Sequence, residues 1–447
     1  MTLPDRGAAG PEARYQGRMT PCCGQISRRR LIAGTGLAAA AALLAGPARS
    51  QPADGFRLLR ARPGDVRLRG PERGTTSIWG FEGVAPGPVL RVKRGEELKV
   101  RFLNELPANA TVHWHGVRVP NGMDGVPPLT QKPVVPGGSF DYRFTPPDAG
   151  TFWYHSAFRA PGAEHGLHGL LIVDEAEPVD VDRDVALVLD AWPHAGDGAL
   201  PGDGKPNFTA NGAPSLDIPV NANERVRLRL LNAAPDRFMT LRVDRHPVTV
   251  MAIDGQPAEP FVARDSRITL SPGNRADLFF DAILTPGSVA PLVLKQDGAD
   301  VPIGRLVYGK AATRPAARSE LKPLPPNPLP ERMDFRGALR HELALDGGPR
   351  DKTAFGPALF SARRGRTVML ALANRTDAPQ VVHLHGHHAR LLDNLDDGWK
   401  PFWLDTILCV PKQTTRIAFV ADNPGRWALT ARTIDGETAL ASVFEVT

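Results

Sequence analysis

The chain has 447 residues, of which 42% are hydrophobic, 23% charged and 6% aromatic, a globular composition that excludes disorder and a fibrous repeat. Its 44 Gly and 44 Pro favour short strands and many turns over long helices, and at roughly 100–200 residues per domain the length predicts two to four domains with full cores. The formal charge is +6, but residues 1–50 hold seven Arg against two acids, a balance of +5 that leaves +1 for the rest; with no basic excess in the body to neutralise phosphates, a nucleic-acid partner is excluded.

At the N-terminus, Ser27-Arg28-Arg29-Arg30-Leu31-Ile32 leads into an apolar, Ala-rich run from Leu31 to Ala45, followed by Ala48-Arg49-Ser50. A charged region, an apolar region and a small-x-small site make a secretory signal. The paired arginines resemble a twin-arginine signal, which exports proteins already folded. A membrane anchor is the competing reading, but the run is shorter than the ~20 residues that span a bilayer and ends in Gly-Pro. Residues 1–50 are therefore expected to leave, giving a periplasmic mature chain that starts near Gln51 and has no membrane span. Cys22 and Cys23 go with the signal. Cys409, in Thr406-Ile407-Leu408-Cys409-Val410, then stands alone and reads as a small buried strand residue.

Period-two runs dominate the body of the chain and predict an all-β fold. Glu97–Phe102, Arg225–Leu230 and Thr367–Leu372 alternate apolar and polar residues, and an asparagine comes after each: Asn104, Asn232 and Asn374. The matching blocks, Val92–Asn104, Val220–Asn232 and Ala362–Asn374, lie roughly 130–140 residues apart, a domain repeat rather than a solenoid period. Arg314–Pro330 carries six prolines and reads as a semi-extended linker. Three β-sandwich domains are expected, over 51–178, 179–314 and 315–447, the last opening with the Pro-rich linker.

The twelve histidines are unevenly placed. His113-Trp114-His115-Gly116 sits in one strand-like stretch, His383-Leu384-His385-Gly386-His387-His388 in another, and Trp153-Tyr154-His155 between them. Residues two apart on a strand point to the same face, so each His-x-His sends two imidazoles into one space. Convergent neutral nitrogens of this kind suit copper or zinc.

With these motifs stand Met123-Asp124-Gly125-Val126-Pro127, Thr145–His155, Gly169–Val173 and Asn423-Pro424-Gly425-Arg426-Trp427. Together they resemble the multicopper oxidases, the laccase-like family of enzymes built from three cupredoxin domains. The resemblance covers essentially the whole mature chain and implies three consecutive cupredoxin-like Greek-key β-sandwiches. Family members carry one type 1 copper that takes electrons from a substrate, and a three-copper cluster that reduces dioxygen to water. By the family pattern His113 and His383 are the type 2 pair, His115 and His155 belong to one type 3 copper, and His385 to the other.

The departures are as specific as the matches. The second ligand of the family's second His-x-His is Ala157 here, and the type 1 histidine ahead of the third motif is Gln380. The His-Cys-His of the fourth motif is Thr430-Ala431-Arg432, and its last histidine is Gly436. A blue-copper site needs one Cys and two His, and all three are replaced. Five of the eight cluster ligands survive. Arg432 brings a permanent positive charge to a lost type 3 ligand position, where it is expected to pair with Asp124 or Asp435. By the resemblance those two acids lie close to the type 2 copper and on the proton path to oxygen. His165 and His168 fall at non-ligand positions and are expected on a surface. His387 is expected beside the ligands without touching metal, and His388 on the other face; His194, His246 and His341 are expected to be solvated or hydrogen-bonded.

Two functions are compatible with this pattern. One is an exported scaffold or binding protein with a periplasmic protein partner, like the copper-free, twin-arginine-exported relatives associated with cell division, its residual histidines able to hold fewer than four copper ions or none. The alternative is a copper-dependent oxidoreductase or copper-handling protein working through the remaining His site. An intact four-copper laccase requires ligands that are absent. Replacing Arg28 and Arg29 together by Lys is expected to retain the precursor in the cytoplasm, read by fractionation; normal periplasmic accumulation would assign the general secretory route instead.

Overall fold

The three alternating runs become the strands Leu98–Asn104, Arg225–Asn232 and Thr367–Asn374, and each closing asparagine turns its side chain back into the fold. Asn104 Nδ2 donates to the carbonyls of Ala108 and Val134, Asn232 Nδ2 to those of Arg237 and Leu270, and Asn374 Nδ2 to those of Ala378 and Cys409. In all three, the side-chain oxygen accepts the backbone N–H two residues on, an Asx turn that ends the strand. The sequence repeat is thus a structural repeat, with one buried amide closing the same corner three times.

The computed structural model describes residues 54–157, 166–193, 206–296, 298–318, 320–346, 355–392, 402–434 and 438–447; the N-terminal signal expected over 1–50 lies outside them. The fold is three consecutive cupredoxin-like Greek-key β-sandwiches, each of two sheets. In the first, Thr76–Phe81, Arg57–Val66, Leu98–Asn104 and Ser139–Phe144 form one sheet. Leu90–Lys93, His168–Asp174, Gly150–His155 and His113–His115 form the other. The second sandwich runs from Arg183–Trp192 to Ala299–Ala312 and the third from Leu339–Leu345 to Thr438–Val446. One continuous buried cluster, including Trp114, Tyr154, Phe360 and Trp427, passes from the first sandwich into the third, while the second keeps its own core. Among the described residues no helix is long and apolar enough to cross a membrane. Cys409 is buried on Thr406–Cys409, its thiol pushed up to about 12 by burial.

The second sandwich departs from simple alternation. Every residue of Arg225–Asn232 is buried, arginines included. The first sandwich covers the outer face of this sheet, as the bond from Arg229 Nη1 to Thr151 Oγ1 shows. The guanidiniums are paired instead of solvated: Arg225 with Asp281, Arg227 with Asp277 and Glu175, Arg229 with Asp184. The Pro-rich segment straps this junction. Leu324 packs with Met251 and Phe279, and Asn327 bonds both backbone groups of Ala149 and the Gln256 side chain.

Arg275, on strand Arg275–Asp281 of the second sandwich, is fully buried. Its Nη1 and Nη2 donate to the two oxygens of Asp405, from the third sandwich, at 2.9 and 2.5 Å, and its Nε donates to the Thr151 carbonyl of the first at 3.3 Å. Burial alone would raise the Asp405 carboxyl, but the Arg275 charge outweighs it and holds Asp405 well below the ordinary carboxylate range. The pair also explains Gly116 of the first His-x-His-Gly: at φ +82° a β-carbon there would run into the Arg275 guanidinium and the Asp405 carboxylate. Replacing Arg275 by Met strands a buried carboxylate, and urea denaturation is expected to show a loss of about 3–5 kcal/mol. An unchanged midpoint would mean that the pair does not hold the three sandwiches together.

Candidate metal centre

Strand geometry assembles the imidazoles. In the first sandwich His113 lies opposite His155, and His115 opposite Trp153; Trp114, between the two histidines, is fully buried in the core and turns both to the other face. In the third, strand Gln380–Leu384 carries His383, with His385 one residue past its end. The two sandwiches meet so that His113, His115, His155, His383 and His385 line one cavity of about 700 Å³. The rings of His115 and His383 stack at 3.6 Å, and those of His113 and His385 lie 4.2 Å apart.

The hydrogen bonds select tautomers. His113 Nδ1 donates to the Asp124 carbonyl at 2.8 Å, and His383 Nδ1 to the Asp405 carbonyl at 3.0 Å. In the neutral rings both Nε2 atoms then carry lone pairs, and they face each other at 3.1 Å. Two acceptors cannot bond one another; an ion between them can use both. The separation is within what two donors about 2.0 Å from a shared metal can span. One ligand atom from each of His113, His115 and His383 falls within 4.8 Å of the others. A second arrangement lies alongside. Thr406 Oγ1 donates to Asp405 Oδ1 at 2.6 Å and accepts from His115 Nε2 at 2.7 Å, which turns the His115 Nδ1 toward His155 Nε2 at 3.2 Å. His155 Nδ1 donates to the Ser156 carbonyl at 2.9 Å.

His113, Asp124 and His385 also lie close enough to hold an ion, but their geometry is that of a carboxylate orienting two rings. His385 Nδ1 donates to Asp124 Oδ2 at 3.0 Å, and His113 Nδ1 lies 3.3 Å from Oδ1. Asp124 comes directly after the turn Asn121–Met123 and is fully buried. Burial would raise its carboxyl, but the His385 and His113 rings outweigh that and hold it well below the usual range. The expected pairing of Arg432 with Asp124 is therefore not made: the carboxylate is occupied by the two imidazoles, and Arg432 forms no ion pair with any described residue. Asp435 and Gly436 lie outside the described residues, as do His165 and His194.

The substituted positions divide between two environments. Ala157, Thr430 and Arg432 line the cavity with the histidines. Ala431 points the other way and is fully buried in the third sandwich's core. Gln380, at the type 1 histidine position, is also fully buried, its Nε2 bonding the Leu345 carbonyl, Asn374 Oδ1 and Thr376 Oγ1.

Several residues were not legible as part of the site. Asp405 accepts from Thr406 and contacts His115, and His388 Nε2 lies 3.4 Å from its other oxygen; a lone acid ahead of an apolar strand gives no signal of this. His168, expected on a surface, is buried in the cavity wall 3.5 Å from buried Asp190, because its strand lies beside Gly150–His155. His387 packs among Phe419, Trp427 and Phe444, with Nδ1 donating to the His385 carbonyl. His246 bonds the Asp244 carbonyl and the Tyr308 hydroxyl.

Comparison with known proteins agrees with this geometry. Multicopper oxidase sequence models match residues 67–178, 183–288 and 325–432. The chain belongs to the multicopper oxidase family. Among curated relatives, the multicopper oxidase MmcO of Mycobacterium tuberculosis is 28% identical over 83% of this chain and 82% of its own length. Among solved structures, Lac15 from a marine microbial metagenome superimposes with a TM-score of 0.78 at 34% identity, covering 88% of this chain and all of Lac15. The multi-copper oxidase from Pseudomonas thermotolerans gives 0.76 at 31%, covering 88% of this chain and 99% of that one.

Burial pushes the histidines of the centre down: His385 to about 3, His383 below its ordinary value and His115 well below it. Unfolded histidines take up protons from about pH 6.5, whereas these do not, so the unfolded chain binds more protons on the acid side of that value. The melting temperature of the metal-free chain, followed in chelator, is expected to be flat above pH 6.5 and to fall as the pH drops toward 4. The onset lies above the range where ordinary carboxylates titrate; Asp254, pushed up to about 6 by burial and the Asp405 charge, takes up a proton in the folded chain and offsets part of the fall. A curve flat down to pH 5 would show that the rings are protonated in the folded chain.

Proposed function

We propose that this chain is an exported, copper-binding member of the multicopper oxidase family that has lost its type 1 centre and does not work as a four-copper laccase. The observation that carries the reading is the opposed pair of Nε2 atoms of His113 and His383, 3.1 Å apart with each Nδ1 bonded to a backbone carbonyl. That donor set fits copper, and imidazole is among copper's preferred ligands. His113 and His383 would hold the ion, with His115, His155 and His385 beside them. Bound copper would supply a redox-active Lewis acid at the joint between the first and third sandwiches. The chain's own residues fix the rings: Asp124 orients His113 and His385, while Asp405, itself held by Arg275, orients His383 and, with Thr406, His115.

Loss of the type 1 centre is supported by Ala431 in the core and by Gln380 bonded into a neighbouring turn. Replacing either residue by a ligand would leave the others still missing. The arginine pair at Arg28-Arg29 supports export to the periplasm in the folded state.

Metal analysis and electron paramagnetic resonance on protein matured with copper test the reading. Bound copper short of four equivalents is expected, with a spectrum lacking intense blue absorption, and His113→Gln with His383→Gln together should weaken copper binding at least ~10-fold. Protein free of metal under these conditions would favour the copper-free scaffold with a periplasmic protein partner. Four equivalents with a blue band would overturn the loss of the type 1 centre.

A further inference from the structure

The replaced cluster ligands are not scattered. Ala157, from the end of the first sandwich's inner sheet, and Thr430 and Arg432, from strand Gly425–Thr433 of the third, all face the cavity that the surviving imidazoles line. Ala and Thr are smaller than the histidines the family pattern places there, so these changes widen the space beside His155 and His383. Arg432 adds a charge that no solution near neutrality removes.

We propose that this cavity is a binding chamber for a small organic carboxylate with an apolar body, whose charged end is held by Arg432. The proposal deepens the reading of this centre as a ligand-binding site by naming what enters beside the metal ligands, and it does not require the metal to be present.

Three observations support it. First, Arg432 forms no ion pair with any described residue, and the nearby buried acids are already committed, Asp124 to His113 and His385 and Asp405 to Arg275. A half-buried guanidinium with no carboxylate partner among the described residues favours a ligand that supplies one, and a carboxylate matches its planar fork with two parallel hydrogen bonds. Second, much of the lining is apolar, with Val126, Pro128, Trp153, Leu167 and Phe355 among its residues. That surface suits a hydrocarbon or aromatic body and offers nothing to a highly charged one. Third, the volume of about 700 Å³ falls in the range of small-molecule sites, about 300–1,000 Å³. A single cation in a mostly apolar cavity favours a singly charged acid over a phosphate dianion.

Calorimetric titration of the metal-free mature chain with benzoate, with its uncharged analogue benzamide and with inorganic phosphate tests the proposal. Benzoate is expected to saturate one site and to bind at least ~10-fold more tightly than benzamide or phosphate. Arg432→Gln should weaken benzoate roughly 10–100-fold, the range of a charged hydrogen-bond pair, and leave benzamide unchanged; Arg432→Lys should fall between. Ala157→Trp, which fills the chamber without altering its charge, should abolish binding of both, with circular dichroism confirming that each variant is folded. Equal affinity for benzoate and benzamide, or parent-like binding by folded Arg432→Gln, would overturn the role of Arg432; tighter binding of phosphate would overturn the ligand class. Copper content of the same preparation separates this proposal from the assignment of the copper site. A chain that takes benzoate but no copper retains the chamber and loses the copper site, and a chain that takes copper but ignores benzoate does the reverse.

Discussion

A buried ion pair organises the molecule. Arg275 and Asp405 are both fully removed from water, and each brings a different sandwich to the junction, with the Thr151 carbonyl of the first sandwich completing the set. Charges so deeply buried are tolerated only when every oxygen and N–H is occupied, and this requirement fixes the neighbours. Gly116 can carry no side chain, His383 finds the Asp405 carbonyl, and His115 finds Thr406, which Asp405 holds. The imidazoles are therefore aimed by the same contact that docks the domains. Asp254, close beside and 3.4 Å from Arg275 Nη1, has its carboxyl pushed up to about 6 by burial and by the Asp405 charge.

The positions where the family resemblance leads one to expect further ligands lie in two environments. Ala431 and Gln380 belong to the inside of the third sandwich: Ala431 is buried in its core, and Gln380 bonds the turn that Asn374 closes. Ala157, Thr430 and Arg432 instead line the cavity with the histidines, which Asp124 and Asp405 hold in place from behind.

The fold and the histidine cluster were legible because both rest on local rules. Alternation with a closing asparagine marks a strand end, and His-x-His on a strand sends two rings the same way whatever surrounds it. What was hidden depends on contacts far apart in sequence. Alternation alone does not show what covers the arginines of Arg225–Asn232, and it is the docking of the first sandwich that makes them buried. Asp405 gains its role from a partner 130 residues away. Arg432 lines the cavity yet does not meet Asp124, since nothing in the sequence shows that this carboxylate is already taken by two imidazoles. His168 reads as a surface residue because the pairing of its strand is not apparent from local pattern.

The facing nitrogens of His113 and His383 come from residues 270 apart, on the first and third sandwiches. Cys409 is a free, buried thiol, so among the described residues no disulfide joins the two. An ion gripped by both rings would act as the missing cross-link, closing a loop of a length at which restriction of the unfolded chain is worth most. Mechanical stability would then be tied to metal supply: the first and third sandwiches of a metal-loaded molecule should separate under force later than those of a stripped one, and a protease probing the joint would report the copper status of its surroundings.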